Sequence, residues 1–209
     1  MADPLRYPIP ADRCRAEASI ERSRFICTIA RADTPESAQA FIRHVAAEFS
    51  DATHNCWAYV AGAPGSTARV GMSDDGEPHG TAGRPMLTVL LHSGVGEIVA
   101  VVTRYYGGIK LGTGGLARAY SLAVQSALAI LPQRERVDYA PLTVSIGYAL
   151  LSAVQRTLPA FEAEIVTDAY AEQITLDLRV PIQQLGALRT AIGNATSGQA
   201  VFDDDPLHT

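Results

Sequence analysis

One segment near the middle of the chain constrains the fold most, because an apolar run, a glycine-rich stretch and a helical pattern follow one another there. Residues 98–103 (IVAVVT) are apolar and β-branched, which indicates a buried strand. The apolar positions 116, 120, 123, 127 and 131 share one face of a helix. Between strand and helix lie five glycines, two tyrosines and the only lysine of the chain. The segment therefore predicts a strand-to-helix crossing, where free amides and the helix dipole suit an anion.

The glycine-rich stretch differs from two common nucleotide-binding signatures. A GxGxxG-type run begins at Gly112, but in dinucleotide-binding folds such a run follows the strand directly, and here residues 104–111 intervene. A Walker P-loop carries its lysine after the last glycines, whereas Lys110 precedes them. Two interpretations remain open. The glycines either permit only a tight crossing, or they belong to a surface for phosphate, RNA or an acidic partner.

Charge, aromatic rings and glycines are concentrated in residues 104–118, which favours the binding surface. Arginine and lysine bind phosphate, tyrosine rings stack on bases, and glycines let a ligand approach the backbone. The predicted binding residues of this segment are Arg104, Tyr105, Tyr106, Gly107, Gly108, Lys110, Gly112, Gly114, Gly115 and Arg118. The preceding polar loop adds Asp74, Asp75, Glu77 and Arg84.

That polar loop, residues 73–85 (SDDGEPHGTAGRP), contains three acids and three glycines. The carboxylates of Asp74, Asp75 and Glu77 could hold a magnesium ion, which takes oxygen ligands. However, the D-x-D-x-D-G spacing of a calcium loop is absent, and aspartate before glycine is ordinary turn chemistry. We therefore favour a turn that pairs with Arg84 or Arg104, and we predict no metal and no cofactor.

The cysteines and histidines show no catalytic spacing. His54 and Cys56 would share a face of a strand, but no third group that orients them is evident, and a buried cysteine behaves as a small hydrophobe. We predict no catalytic residue. The three cysteines are widely spaced and odd in number, which indicates reduced thiols of a cytoplasmic protein. No apolar run reaches the roughly 18 residues of a membrane span, and the start lacks the apolar core of a signal peptide.

The chain of 209 residues predicts an α+β protein with two domains, residues 1–137 and 138–209, joined by a charged connector at 133–141. The second domain has the order βαββαβ, the ferredoxin-like split motif. Residues 1–137 carry 14 Lys+Arg against 13 Asp+Glu, a net of +1, and residues 138–209 carry 3 against 9, a net of −6. A phosphate-binding surface is therefore expected in the first domain, and double-stranded DNA is not an expected partner.

Two long motifs and several short ones resemble the IMPACT family, in its bacterial YigZ-like branch. The long motifs are SDDGEPHGTAGRP at 73–85 and RYYGGIKLGTGGLARAY at 104–120. The shorter ones are ERSRF at 21–25, HNCWAY at 54–59 and GVGE at 94–97. The resemblance covers nearly the whole chain, and neither long motif is interrupted.

This resemblance implies an N-terminal domain like the second domain of ribosomal protein S-five, a fold that recurs in elongation factor G and in kinases with a glycine-rich phosphate loop. It also implies a C-terminal domain like the ferredoxin-like domain five of elongation factor G. Eukaryotic members without the second domain regulate translation through protein partners that sense amino-acid starvation. We therefore expect a non-enzymatic, translation-associated protein that binds RNA, the ribosome or a translation-related protein. The alternative is an enzyme for a small phosphorylated or nucleotide substrate, with a metal held by residues 73–85.

Overall fold

The computed structural model describes residues 6–203 and divides the chain into two compact units, Met1–Arg136 and Val137–Thr209. The strands of the first unit are β1 (Arg6–Pro10), β2 (Cys14–Ile20), β3 (Ser23–Arg31), β4 (His54–Val60), β5 (Val70–Ser73), β6 (Ile98–Tyr105) and, at its end, β7 (Gln133–Val137). Its helices are α1 (Pro35–Glu48), α2 (Gly83–Leu91) and α3 (Gly112–Ala129). The predicted mixed α+β class is confirmed.

The five-stranded antiparallel sheet of the first unit has the order β2-β3-β6-β4-β5, so β6 lies at its centre. Alternate residues of a strand point to opposite faces. Ile98, Ala100 and Val102 accordingly belong to the core beneath α2 and α3, while Val99 and Val101 belong to the core beneath α1. The apolar run predicted as a buried strand is therefore covered on both faces, and the chain leaves the sheet from its centre into the glycine-rich stretch.

Local signals explain where the helices begin. Thr34 caps α1 by accepting a hydrogen bond from the Ser37 amide at 3.1 Å, and Pro35 occupies the first helical turn, where its missing N–H costs nothing. The second helix begins at Gly83. Within residues 6–203, no helix has both the length and the apolar character that a membrane crossing requires.

One segment predicted as irregular is a strand. β7 lies in the predicted charged connector, yet it pairs with β1 in a separate two-stranded sheet. An ion pair of 3.2 Å between Arg6 and Glu135 joins these two strands. The sequence QRERV of β7 has no apolar alternation, so its pairing depends on a partner from the opposite end of the unit.

The second unit has the predicted βαββαβ order. Its strands are β8 (Tyr139–Ile146), β9 (Glu164–Tyr170), β10 (Ile174–Pro181) and β11 (Val201–Asp203), and its helices are α4 (Leu151–Thr157) and α5 (Leu185–Ala195). The antiparallel sheet has the order β11-β8-β10-β9, in which the first and third strands are central. Val154 of α4 and Leu188 of α5 pack with the inner face of β8 and β10, which forms a single core.

A candidate anion-binding cleft

The two loops that carry the predicted binding residues share one cleft of about 440 Å³ in the first unit. The 73–85 loop contributes Glu77 and Pro78, and β6 contributes Arg104 near its end. The segment that follows β6, up to the first two turns of α3, contributes the remaining lining. Five predicted binding residues line this cleft: Glu77, Arg104, Tyr106, Lys110 and Gly112. Sequence motifs about thirty positions apart are thus brought together at one site.

A buried ion pair forms the floor of the cleft. Arg104 donates to Glu77 at 2.6 Å, and both side chains are more than nine-tenths buried. Tyr120 donates to the same carboxylate oxygen at 2.8 Å, while the other terminal nitrogen of Arg104 donates to Ser23 at 3.2 Å. The predicted pairing of the acidic loop with Arg104 is confirmed. The alternative partner, Arg84, is exposed on α2, and within residues 6–203 it has no ion pair.

The guanidinium of Arg104 also positions an aromatic ring at the cleft. Its central carbon lies 5.4 Å from the ring centroid of Phe25 and 5.4 Å from that of Tyr106. Such cation–π stacking holds a ring in a defined orientation. Because Tyr106 is still 46% exposed, the ring lines the cleft and also meets solvent. An oriented, half-exposed ring is a platform on which a flat group can stack.

The beginning of α3 presents unpaired backbone donors to the same cleft. No side chain caps this helix, and its first turn contains no acid. Gly112 and Thr113 line the cleft, and Gly112 has a φ of +68° that a residue with a side chain would adopt only with strain. Lys110 is exposed beside them and, in the part of the chain that the structure describes, makes no ion pair. The arrangement offers an anion both N–H groups and a cation.

Two further predicted residues lie in a neighbouring depression of about 510 Å³. Gly115 and Arg118 line it together with Glu21, and it shares Lys110 and Leu111 with the cleft. Arg118 is exposed and has no ion pair within residues 6–203. These residues extend the basic surface beside the cleft, but they do not line the cleft itself.

Asp74 organises the acidic loop instead of facing the cleft. Its carboxylate accepts hydrogen bonds from the amides of Gly80 (2.7 Å), Ala82 (3.0 Å) and Gly83 (2.8 Å). Burial alone raises the pKa of Asp74, but these three bonds outweigh it and hold the pKa below the usual value for aspartate. Asp74 thereby caps the start of α2 from a position nine residues upstream.

The three carboxylates proposed as metal ligands face different partners. Asp75 accepts a hydrogen bond of 2.6 Å from the Asn55 amide, Asp74 binds the amides before α2, and Glu77 binds Arg104 and Tyr120. In residues 6–203, no three histidine, cysteine or acidic side chains are grouped to hold a metal ion. The geometry therefore does not assemble the magnesium site that the alternative interpretation requires.

Tyr105 and Gly107 have roles outside the cleft. The hydroxyl of Tyr105 donates to Asp51 at 2.7 Å, and the side chain of Arg24 lies over its ring at 5.7 Å. A Cβ at Gly107 would lie 2.0 Å from the carbonyl oxygen of Arg22, so this glycine allows two backbone segments to approach. The two other predicted glycines, Gly108 and Gly114, face open space and line neither depression.

The thiol–imidazole pair considered from the sequence does not form. The Cys56 sulfur lies 2.9 Å from the Asp74 carbonyl oxygen and 3.3 Å from the Tyr120 hydroxyl, whereas the His54 ring bonds the Asp75 carbonyl oxygen at 2.6 Å. Burial raises the pKa of Cys56 to about 12, so the thiol stays protonated and unreactive at neutral pH.

Sequence reasoning missed two residues that support the cleft. Ser23 accepts from both Arg104 and the Gly107 amide, each at 3.2 Å, and Tyr120 anchors Glu77. Ser23 lies 81 residues from Arg104 in sequence, and Tyr120 lies 43 residues from Glu77, so no local spacing rule connects these pairs. The one available signal was their presence within the ERSRF and RYYGG motifs.

Comparison with known proteins agrees with the motifs. The Impact N-terminal domain matches residues 21–128, and a domain of unknown function (DUF1949) matches residues 144–199. The IMPACT family member YigZ of Escherichia coli (strain K12) is 41% identical over 190 residues, which span 91% of this chain and 93% of that protein. An IMPACT family member of Haemophilus influenzae is 40% identical over 196 residues, which span 94% of this chain and 95% of that protein.

A solved crystal structure of a hypothetical protein supports the fold over the full length. It is 38% identical, covers 100% of both chains and superposes with a TM-score of 0.66. The resemblance inferred from the two long motifs is confirmed, since sequence identity and domain matches both extend over most of the chain. This protein belongs to the IMPACT family.

Proposed function

We propose that this chain is a non-enzymatic, translation-associated protein that binds single-stranded RNA. A phosphate would bind at the start of α3, and a neighbouring base would stack on Tyr106. The observation that carries the proposal is the uncapped, acid-free first turn of α3, which opens onto the same cleft as Tyr106 and Lys110. The start of α3 and Lys110 suit the phosphate of a nucleotide, and the Tyr106 ring suits its base.

The phosphate position follows from electrostatics. An uncapped helix start carries free N–H groups and about half a positive charge, which together form a ready anion site. A Cβ at Gly112 or Gly114 would meet nothing within 4 Å, so the backbone is open to close approach from outside. Lys110 adds a full charge beside these donors. Arg104 contributes little net charge, because Glu77 neutralises it.

The exposed ring favours RNA over an acidic protein surface. A base has a flat π-face that gains about 1 to 3 kcal/mol by stacking on an aromatic side chain, whereas a carboxylate has none. The −6 of residues 138–209 disfavours any polyanion there, which supports a site in the first unit but does not distinguish RNA from an acidic protein. The enzyme alternative has no comparable support, since within residues 6–203 the three loop carboxylates face different partners and do not group around one point.

Fluorescence anisotropy with a labelled eight-nucleotide single-stranded RNA tests the proposal. Affinity is expected to fall with salt with a log–log slope of about −0.7 for each phosphate that is neutralised. Lys110→Ala is expected to lower the slope by about that amount, and Tyr106→Ala to weaken binding by about 1 to 3 kcal/mol. Arg43→Ala is the matched control, because Arg43 is exposed on α1, across the sheet from α3.

The possible outcomes separate the alternatives. RNA binding that Lys110→Ala and Tyr106→Ala leave unchanged would reject the cleft as the site. Binding of a polyglutamate peptide with equal affinity would favour an acidic protein as the ligand. Stabilisation by magnesium with ATP or GTP would favour the enzyme, since a ligand at 100 times its Kd adds about 2.7 kcal/mol. Arg104 is unsuitable for such tests, because its removal leaves Glu77 buried without its cation.

A further inference from the structure

We propose that β9 is a docking edge for an extended, lysine- or arginine-rich segment of another protein, which would add to the sheet of the second unit as a fifth strand. β9 is the outermost strand on one side of that sheet. All seven of its residues are exposed. An outermost strand carries a row of N–H and C=O groups without a neighbouring strand, which is a template for strand addition.

The other edges of the two larger sheets lack this combination of length and exposure. In the described chain, β11 has three residues and β5 has four. β2 has seven, but Cys14, Ala16 and Ile20 are partly buried against the core of the first unit. β9 is thus the long, uncovered edge among these four strands. Natural edges of this length are usually protected by lysine, proline or an irregularity in the strand.

β9 has one of those protections and lacks the others. Its register against β10 shifts between Thr167 and Ile165, which leaves Val166 as an extra residue. The sequence EIVTDAY contains neither lysine nor proline. C-terminal to the irregularity, residues 167–170 pair with β10 in regular register. A regular, accessible strand segment is therefore available to a partner.

The packing leaves apolar side chains of β9 uncovered. Ile165 and Tyr170 lie opposite Leu178 and Ile174, which are buried beneath the helices, yet they are themselves 38% and 57% exposed. The helix layer therefore covers β10 but not β9. Val166 is 63% exposed. Exposed apolar side chains beside an open edge supply the pockets that a partner strand uses for alternate residues.

The charge around this edge selects a basic partner. Residues 157–178 contain no lysine or arginine. They contain five acids, which are Glu162, Glu164, Asp168, Glu172 and Asp177. One of these acids, Glu164, forms an ion pair of 2.6 Å with Arg179 of β10, so the excess of negative charge comes from the other four. A second copy of the same strand would bring like charges together, which is unfavourable across a strand pair. A segment that alternates basic and apolar residues matches both the charge and the exposed apolar side chains.

Two synthetic peptides and one pair of variants test the proposal on the full chain. The probe is an eight-residue peptide that alternates lysine with valine, and the control peptide alternates glutamate with valine. Val166→Lys and Val201→Lys form the matched pair, since Val201 lies on the opposite edge strand, β11, and is 61% exposed. Both variants change the net charge equally, so they differ only in which edge is altered.

Calorimetry and amide hydrogen exchange provide the readouts. The lysine peptide is expected to bind and to slow exchange of amides in residues 164–170, and the glutamate peptide is expected not to bind. Val166→Lys is expected to weaken binding at least about tenfold, and Val201→Lys by no more than about twofold. Equal effects of the two variants, or equal binding of the two peptides, would overturn the proposal. A concentration-dependent dimer that Val166→Lys abolishes would also overturn it, since a second copy would then occupy the edge.

Discussion

Arg104 and Glu77 are separated by 27 residues in sequence, yet their charged atoms lie 2.6 Å apart, with the side chains only 5% and 3% exposed. This pair connects the central strand β6 to the acidic loop, and both of its residues line the cleft. Because the two charges neutralise each other, the pair shapes the site without making it strongly basic. The attraction for an anion then depends on Lys110 and the start of α3.

Removing one member of this pair is expected to destabilise the protein strongly. Glu77→Gln should lower the free energy of unfolding by about 3 to 5 kcal/mol, because it leaves the Arg104 charge buried without its partner. Urea denaturation measures the loss. The double variant Glu77→Leu with Arg104→Met should lose less free energy of unfolding than the sum of the losses of Glu77→Leu alone and Arg104→Met alone, because both charges are removed together. Additive losses would show that the two charges do not interact.

Asp74 is expected to stabilise the protein through its three amide hydrogen bonds. Asp74→Asn should lower the free energy of unfolding by about 1 to 2 kcal/mol near neutral pH. Since the folded-state pKa is lowered, this contribution is present above the ordinary pKa of 3.8 and is lost as the pH falls through the folded value.

Asp75→Asn is the control for Asp74, because the exposed Asp75 carboxylate accepts a single amide bond. Asp75→Asn should lower the free energy of unfolding by less than Asp74→Asn does. Chemical denaturation of both variants from neutral pH to about pH 3 measures the difference. The stabilising role of the ionised Asp74 carboxylate would be contradicted if the loss of unfolding free energy caused by Asp74→Asn did not decrease in acid.

Two glycines of the long motif at 104–120 are expected to respond in opposite ways to alanine. Gly107→Ala should cost about 2 kcal/mol or more, because its Cβ would lie 2.0 Å from the Arg22 carbonyl oxygen. Gly114→Ala meets nothing within 4 Å and should leave stability unchanged or raise it by up to about 1 kcal/mol, since alanine favours the helix. Thermal unfolding measures both. If Gly114→Ala keeps the fold but weakens RNA binding, the backbone at that position contacts the ligand.

The buried thiols are expected to make the fold sensitive to alkali. Burial raises the pKa of Cys56 from 9.0 to about 12, and it raises that of Cys27 further. The resulting stabilisation is complete below the unfolded-state pKa and is lost as the pH rises from about 9 towards 12, by at most about 1.4 kcal/mol per pH unit for each thiol. Cys56→Ala should flatten this dependence, measured as unfolding free energy between about pH 8 and 11.

Thiol labelling provides an independent check. With a disulfide reagent near neutral pH, the half-buried Cys14 should react first, and Cys27 and Cys56 should react only as the protein unfolds. A rapidly reacting Cys56 in the folded protein would contradict its placement against Tyr120 and the Asp74 carbonyl.

Short-range patterns predicted much of the fold. The capping pattern of Thr34 and Pro35 matches the observed start of α1, and the apolar run 98–103 matches the buried strand β6. The βαββαβ order of the second unit follows from alternation and turn signals. These predictions succeed because capping, periodicity and backbone propensity act over a few residues. The strand β7 was not predicted, because its pairing partner, β1, lies more than a hundred residues away in sequence.

The sequence by itself determined the family, the α+β class and the two segments in which binding residues were sought. Only the tertiary structure decided that Arg104 is a buried partner of Glu77, that Asp74 caps α2, and that Lys110 and Tyr106 remain accessible. The physical reason is that these contacts depend on sheet register and on the path of two loops, which bring together groups 27 to 81 residues apart. The type of a residue determines which interactions its side chain can make. Its neighbours in space determine whether those interactions stabilise the fold or remain available to a ligand.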